Sequence, residues 1–334
     1  MTWGADPVSA HQFVLPHSAS SSNDRRLKLK ALILVCLFAG VNPALGGLEK
    51  YSQLIKADVS PASPPPQSGV RITYLGTNAY LLESRDTVLL VDPYFSRQSL
   101  YRTALKLRPV PQTKLINEWL REHPKIDAVL ATHAHIDHLF DATQIVRATG
   151  ATLIASPTGV KLAESTGVPR SQTRAVLPGA KKHAGDAVIH ILPAQHDRLF
   201  GSIPFNGPPK HLPPRKIDHW VTGEPLAFLI EMGGKRIFVN SGGRPGQAIS
   251  TKWRPVDLAI LGVAARDSID AFPRTVAQLR PRYILPSHQD DFFRPLQRGF
   301  VFLPLSDFPA VQRAARGAPG ELILLDYFRP WTLR

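Results

Sequence analysis

Residues 132–138 read THAHIDH and follow directly on the apolar run IDAVLA. Three histidines and an aspartate inside six residues constrain this chain more than any other feature. Imidazole and carboxylate groups crowded into one turn repel and hydrate badly unless a cation gathers them. Side chains two apart in an extended segment point the same way, so His133 and His135 can grip one ion where the DAVLA strand ends. Asp137 and His138 then face a second position. The fold must therefore end a strand here and open it towards a helix, which is where open α/β layers place their sites.

The surrounding pattern is α/β. Short β-rich runs (VRITYLG, AYLLES, TVLLVD, DAVLAT) alternate with helical patterns at 113–122, 140–148 and 159–165. The second half repeats the theme with AVIHILP, LAFLIEM, KRIFVN, DLAILG, RYILPS and ELILLD, and with helices expected at 269–279 and 306–313. Hairpin-like pairs open each half, at 70–91 and 226–240, so two β-then-α halves packed as a sandwich are expected. Residues 198–222 carry five prolines and little periodicity. A loop this long inside a compact domain is usually functional.

The N-terminal 46 residues read as an export signal preceded by a polar extension. RRLKLK leads into the apolar run ALILVCLFAGV and then NPALGG, the order of a basic region, a short apolar region and a small-residue cleavage region. The run is shorter than the roughly 20 apolar residues that span a bilayer. Residues 47–69 contain the Pro-rich stretch DVSPASPPPQSG and are expected to be a linker, with the folded domain at 70–334. Cys36 is the single cysteine and lies in the apolar run, so no disulfide framework or cysteine-ligated metal site can form. The segment 1–46 holds four of the 40 basic and two of the 26 acidic residues, so the remainder keeps a formal charge of +12 against +14 for the whole chain. Such a field favours anionic partners.

The strand-terminal His-x-His-x-Asp-His signature resembles that of the metallo-β-lactamase superfamily, over roughly residues 70–328. The resemblance implies a four-layer αββα sandwich and a hydrolytic metal centre. It implies that His133, His135 and His196, the histidine after AVIHILPAQ, form one metal site, with His190 left as a packed strand residue. Asp137 and His138 are implied as catalytic ligands of a second site completed by His288 in PSHQDDFF. Asp92 in LLVDPY is implied as support for the ligands rather than a ligand. Asp290 and Asp291, beside His288, are expected to be solvated.

One departure stands out. Where the family usually carries a Gly-Asp pair whose aspartate bridges two metals, this chain has Ser241-Gly242 in KRIFVNSGGRPG. Asn240 or Ser241 replacing the aspartate weakly, Asp267 reaching in, or one site filling alone are the three outcomes, and a retained second site of lower affinity is the one expected.

Three histidines with one open position suit a catalytic rather than a structural zinc, and a bound ion brings its water within reach of ionisation at neutral pH. The expectation is an exported, periplasmic or envelope-associated hydrolase with one or two zinc ions, manganese and iron being alternatives. Its substrate would be an ester, lactone or phosphodiester, small or lipid-derived and anionic, held by Lys210, Arg215 and Lys216. LGTNAYLLE, LLVDPY and PSHQDDFF look most like the branch holding ascorbate-phosphate lactonases and N-acylphosphatidylethanolamine phospholipase D. RNA-processing relatives fit the basic charge but not the export signal, so nucleic acid is not the expected partner. The competing classes are an envelope protein that binds metal or ligand without turnover, and an oxygen-reducing di-iron protein.

Overall fold

The computed structural model describes residues 47–334 except 62 and 305. The export signal expected at 1–46 lies outside the described residues.

The first sheet grows from a meander. Strands β1 (Val70–Gly76), β2 (Ala79–Glu83) and β3 (Val88–Val91) pair antiparallel, and β4 (Ala128–Leu130), β5 (Thr152–Ala155) and β6 (Thr173–Ala175) then add in parallel. Helices α1 (Leu100–Ala104) and α2 (Thr113–Glu122) connect β3 to β4; α3 (Ile136–Thr149) and α4 (Pro157–Ser165) form the next two crossovers.

The second sheet begins the same way. Strands β7 (Lys181–Ala184), β8 (Ala187–His196), β9 (Leu226–Met232) and β10 (Lys235–Asn240) run antiparallel in turn, and the short β11 (Gly243–Pro245) folds back on the end of β8. Strands β12 (Leu258–Gly262), β13 (Tyr283–Ser287) and β14 (Glu321–Leu322) continue in parallel, separated by α5 (Arg266–Leu279) and α6 (Phe308–Ala315). The last strand, β15 (Trp331–Leu333), returns to the first sheet beside β1.

Side-chain alternation explains the layers. Ile72, Tyr74, Tyr80, Leu82, Leu89 and Val91 face a core shared with Ile189, Phe228 and Ile230 of the second sheet. The intervening Leu75, Leu81 and Leu90 face a separate core with Trp119, Leu139, Ile145 and Leu162 from the helices. Strands buried on both faces read as continuous apolar runs, and the result is the expected αββα sandwich.

Local signals set the helix ends. Ser156 Oγ accepts the Gly159 N–H ahead of Pro157 at the start of α4, and Gly150, at φ 77°, stops α3 in the left-handed region.

Segment 47–69 corrects the expected boundary. Residues Leu48–Leu54 form a 3₁₀ helix; Leu48 is buried, and Tyr51 packs edge-on against Phe302 and Phe308. Lys56 N–H donates to Leu324 O, and Asp58 Oδ1 accepts the Thr332 N–H. The apolar side chains Leu48, Tyr51, Leu54 and Ile55 lay this stretch on the domain, and the prolines follow only afterwards.

Candidate metal centre

Strand β4 ends at Leu130 and α3 starts at Ile136, so THAHIDH spans the strand-to-helix turn and the first turn of α3, and every one of its four metal-capable side chains is buried. Asp137 sits in the first turn of α3, where the helix dipole favours a negative charge.

The ligand atoms converge in two groups. His133, His135 and His196 each bring one ring nitrogen within 4.8 Å of the others, and so do Asp137, His138 and His288 with their ring nitrogens and carboxylate oxygen. The chemistry of the donors suits a cation. His133 Nε2 and His135 Nδ1 face each other at 3.0 Å, and the opposite nitrogen of His135 is already engaged, with Nε2 lying 3.0 Å from Pro204 O and 2.8 Å from Thr222 Oγ1. A proton on Nε2 donated to the Pro204 carbonyl leaves Nδ1 as a lone pair aimed at the cluster. His196 is prepared alike, its Nδ1 donating to Asp197 O at 2.6 Å and freeing Nε2.

Burial is the largest influence on all three rings of this group. It holds His133 and His135 well below the usual histidine range and His196 at about 4. Neutral imidazoles are the state a metal needs.

The second group is arranged around charge. Asp137 Oδ2 lies 3.3 Å from His138 Nε2 and 3.2 Å from His288 Nε2. Burial pushes His138 down, but Asp92 and Asp137 together outweigh it and lift it to about 10.

Asp92 holds the turn after β4 and, through it, His138. Its Oδ1 accepts the Thr132 N–H at 2.7 Å, and its Oδ2 accepts Thr132 Oγ1 at 2.7 Å, Ser241 Oγ at 2.8 Å and His138 Nδ1 at 2.9 Å. Holding Nδ1 in this way points Nε2 at the site. Asp92 has φ 42° and His288 φ 57°, a region uncommon for residues other than glycine and frequent at functional positions.

The bridging position is filled by ring atoms. A Cβ built on Gly242 would fall 2.7 Å from both Cε1 and Nδ1 of His133 and 3.0 Å from Cε1 of His138. Ser241 turns to Asp92 instead of the ligands, and Asp267 is held by Arg198 at 2.9 Å and Arg244 at 2.8 Å. None of these residues belongs to either ligand group.

Three expectations change. His196, which side-chain alternation along AVIHILP places just past the strand's end, is instead the last residue of β8, where Gly243 of β11 pairs with it. Asp290 is buried, not solvated; it ion-pairs with Arg97 at 2.6 Å and accepts from Tyr74, Tyr327 and the Thr77 N–H. Lys210, Arg215 and Lys216 are exposed and line no part of the cavity beside the ligands. The 198–222 loop turns Ile217 and Trp220 inward and leaves these three cations exposed. His190, in β8, pairs with Glu231 and a tryptophan face, as a packed strand residue does.

Residues missed in the sequence include Asn78, whose Nδ2 lies 2.9 Å from His138 Nε2, and the loop anchors Pro204 and Thr222. Asn78 sits in the β1–β2 turn, where an asparagine reads as ordinary turn chemistry.

The ligands open into a cavity of about 390 Å³ reached by His135, Asp137, His196 and His288. Tyr94 lines it too; burial pushes its phenol up, so it stays protonated, and its oxygen accepts the Gln98 N–H.

Residues 72–246 match the sequence model of the metallo-beta-lactamase superfamily. The chain is 25% identical over 266 residues to a UPF0173 metal-dependent hydrolase of Carboxydothermus hydrogenoformans, covering 77% of this chain and 100% of that one. It is 27% identical over 237 residues to a UPF0173 metal-dependent hydrolase of Heliobacterium modesticaldum, covering 67% and 84%. Among solved structures it resembles Igni18, a metallo hydrolase of Ignicoccus hospitalis, with TM-score 0.54 and 19% identity over 80% of this chain and 99% of that one. A possible metal-dependent hydrolase of Veillonella parvula gives TM-score 0.53 and 14% identity over 80% and 100%.

Proposed function

Because the chain belongs to the metallo-beta-lactamase superfamily, we propose that it is a metal-dependent hydrolase acting on an ester, lactone or phosphodiester. The observation that carries this reading is the pair of three-ligand groups opening into one cavity. The name shared by its relatives, metal-dependent hydrolase, supports it.

His133, His135 and His196 would hold one ion, and Asp137, His138 and His288 the other, with zinc the first candidate and manganese or iron the alternatives. Bound there, such ions polarise a carbonyl or phosphoryl oxygen and acidify water from about 15.7 towards 7. The chain's own groups do the rest. Asp92 fixes His138 and the Pro204 carbonyl fixes His135, so the ligands are set before substrate arrives. Asp137 lines the cavity, and its carboxylate would take up a proton released there. The Tyr94 hydroxyl can donate to an oxygen that gains charge as the bond breaks.

The branch resemblance in LGTNAYLLE, LLVDPY and PSHQDDFF favours lactone or phosphodiester chemistry on a small or lipid-derived substrate. The N-terminal signal pattern supports export to the periplasm or envelope. The net positive charge supports approach to anionic molecules or surfaces at long range, without the contacts first expected from Lys210, Arg215 and Lys216.

The test is metal stoichiometry on the purified protein, together with a panel of esters, lactones and phosphodiesters, for the natural chain and for His135→Ala. The reading holds if metal and turnover are both present and are lost together. Zero turnover across the panel with metal bound would favour the second reading, a binding protein without catalysis, which the crowded Gly242 position supports.

A further inference from the structure

We propose that the cavity selects substrates carrying an uncharged apolar acyl or alkyl chain, which lies along the apolar lining beside the ligands. The inference rests on the hydrolase reading for where the scissile bond sits, and names what surrounds the rest of the molecule.

The lining carries the argument. Beyond the ligand residues, the wall is built from Leu100, Leu105, Phe205, Phe292, Leu199 and Leu303, with small residues at Gly262, Ala264 and Ala265 leaving the room. Its volume, about 390 Å³, falls within the roughly 300–1,000 Å³ typical of small-molecule pockets. Leu105 lines the cavity yet is 49% exposed, so the apolar lining runs out to solvent.

The charges are arranged to refuse an anion along that wall. Lys106 is the one Lys or Arg among the described lining residues, and its Nζ lies 3.5 Å from Asp218 Oδ2. Arg198 and Arg244, each next in sequence to a lining residue, are both tied to Asp267, and Asp197 adds a carboxyl to the lining. A charged group placed along the wall would lose water without gaining a partner. A chain of methylenes loses water at a gain of roughly fourfold in affinity for each one buried.

Displacement of a neutral fluorescent probe, N-phenylnaphthylamine, from the full-length metal-loaded protein tests this without any need for turnover. Straight-chain alcohols should displace it with affinity rising about fourfold per added methylene until the cavity is filled. Octanoate should displace it far better than suberate, which has the same chain length and a second carboxylate that must enter the wall. Leu105→Arg, at a partly exposed rim position, should weaken the probe roughly tenfold while leaving metal content unchanged. Flat displacement across chain length, or suberate matching octanoate, overturns the inference even if hydrolysis is found. Steep chain-length dependence in a protein that turns over no ester, lactone or phosphodiester sustains it and removes the hydrolase reading instead.

Discussion

Arg97 Nη2 lies 2.6 Å from Asp290 Oδ2, and the two side chains are 1% and 0% exposed. Burial pushes the Asp290 carboxyl up, but the Arg97 charge and the hydrogen bonds from Tyr327, Thr77 and Arg97 together outweigh it and hold the carboxyl below the usual range. This pair sits beneath a ligand. Asp290 grips the Thr77 N–H, and the Thr77 carbonyl accepts the N–H of His288.

Breaking this pair should therefore be felt at the second ligand group. Removing one partner of a buried ion pair costs about 3–5 kcal/mol, so Arg97→Met should lower the unfolding free energy, read from denaturant titration, by that amount. Metal content should fall preferentially at the Asp137, His138 and His288 group. A variant that is destabilised but binds both ions with natural affinity would separate stability from positioning.

Asp92→Asn removes the charge that holds His138 while nearly preserving shape. Losing such a supporting carboxylate typically costs about 10–100-fold in metal affinity. Competitive chelator titration measures this directly, and an unchanged affinity would show that Thr132 and Ser241 suffice.

Truncating the loop anchor gives a milder result than removing the ligand. Thr222→Val keeps the Pro204 carbonyl on His135 but deletes the hydroxyl 2.8 Å from Nε2, and loss of one hydrogen bond is worth about 0.5–1.5 kcal/mol. Metal affinity at the first group should drop several-fold, whereas His135→Ala should abolish it, as read by metal analysis after gel filtration.

Restoring a bridging carboxylate at position 242 should harm the site. The Cβ alone would meet the His133 ring at 2.7 Å, and overpacking of this kind costs about 1–3 kcal/mol. Gly242→Asp and Gly242→Ala should both bind less metal than the natural chain; a gain in the aspartate variant alone would show that the rings can move aside.

The metal-stripped protein should be most stable near neutrality. His196, at about 4 in the fold against an ordinary 6.5, binds fewer protons folded than unfolded, so stability falls as pH drops from about 6.5 towards 4. His133 and His135 act in the same direction. His138, raised to about 10, contributes fully below 6.5 and loses its contribution as pH climbs towards 10. Thermal melts across this range in chelator should trace a dome, and a flat profile would contradict the burial of these rings.

What could be read from the chain was what sequence neighbours decide. Alternation along β1–β3 gives both cores, and the two-residue spacing of His133 and His135 gives the convergence of their nitrogens. What could not be read depends on distant partners. Asp290 looks solvated until Arg97, 193 residues away, is seen beside it, and β8 runs on to His196, where β11 returns to pair with it. The basic residues of the 198–222 loop carry charge in the sequence but no direction. Their direction was set by the inward pull of Ile217 and Trp220.

Each ligand group takes two side chains from the turn after β4 and one from a strand end of the other sheet, His196 from β8 or His288 just past β13. An ion in either place is therefore a rivet through the seam between the two halves. Stripping it should leave each half folded but let the joint breathe along the cavity side, so the rate at which buried amides there exchange with solvent becomes a measure of occupancy that needs no substrate.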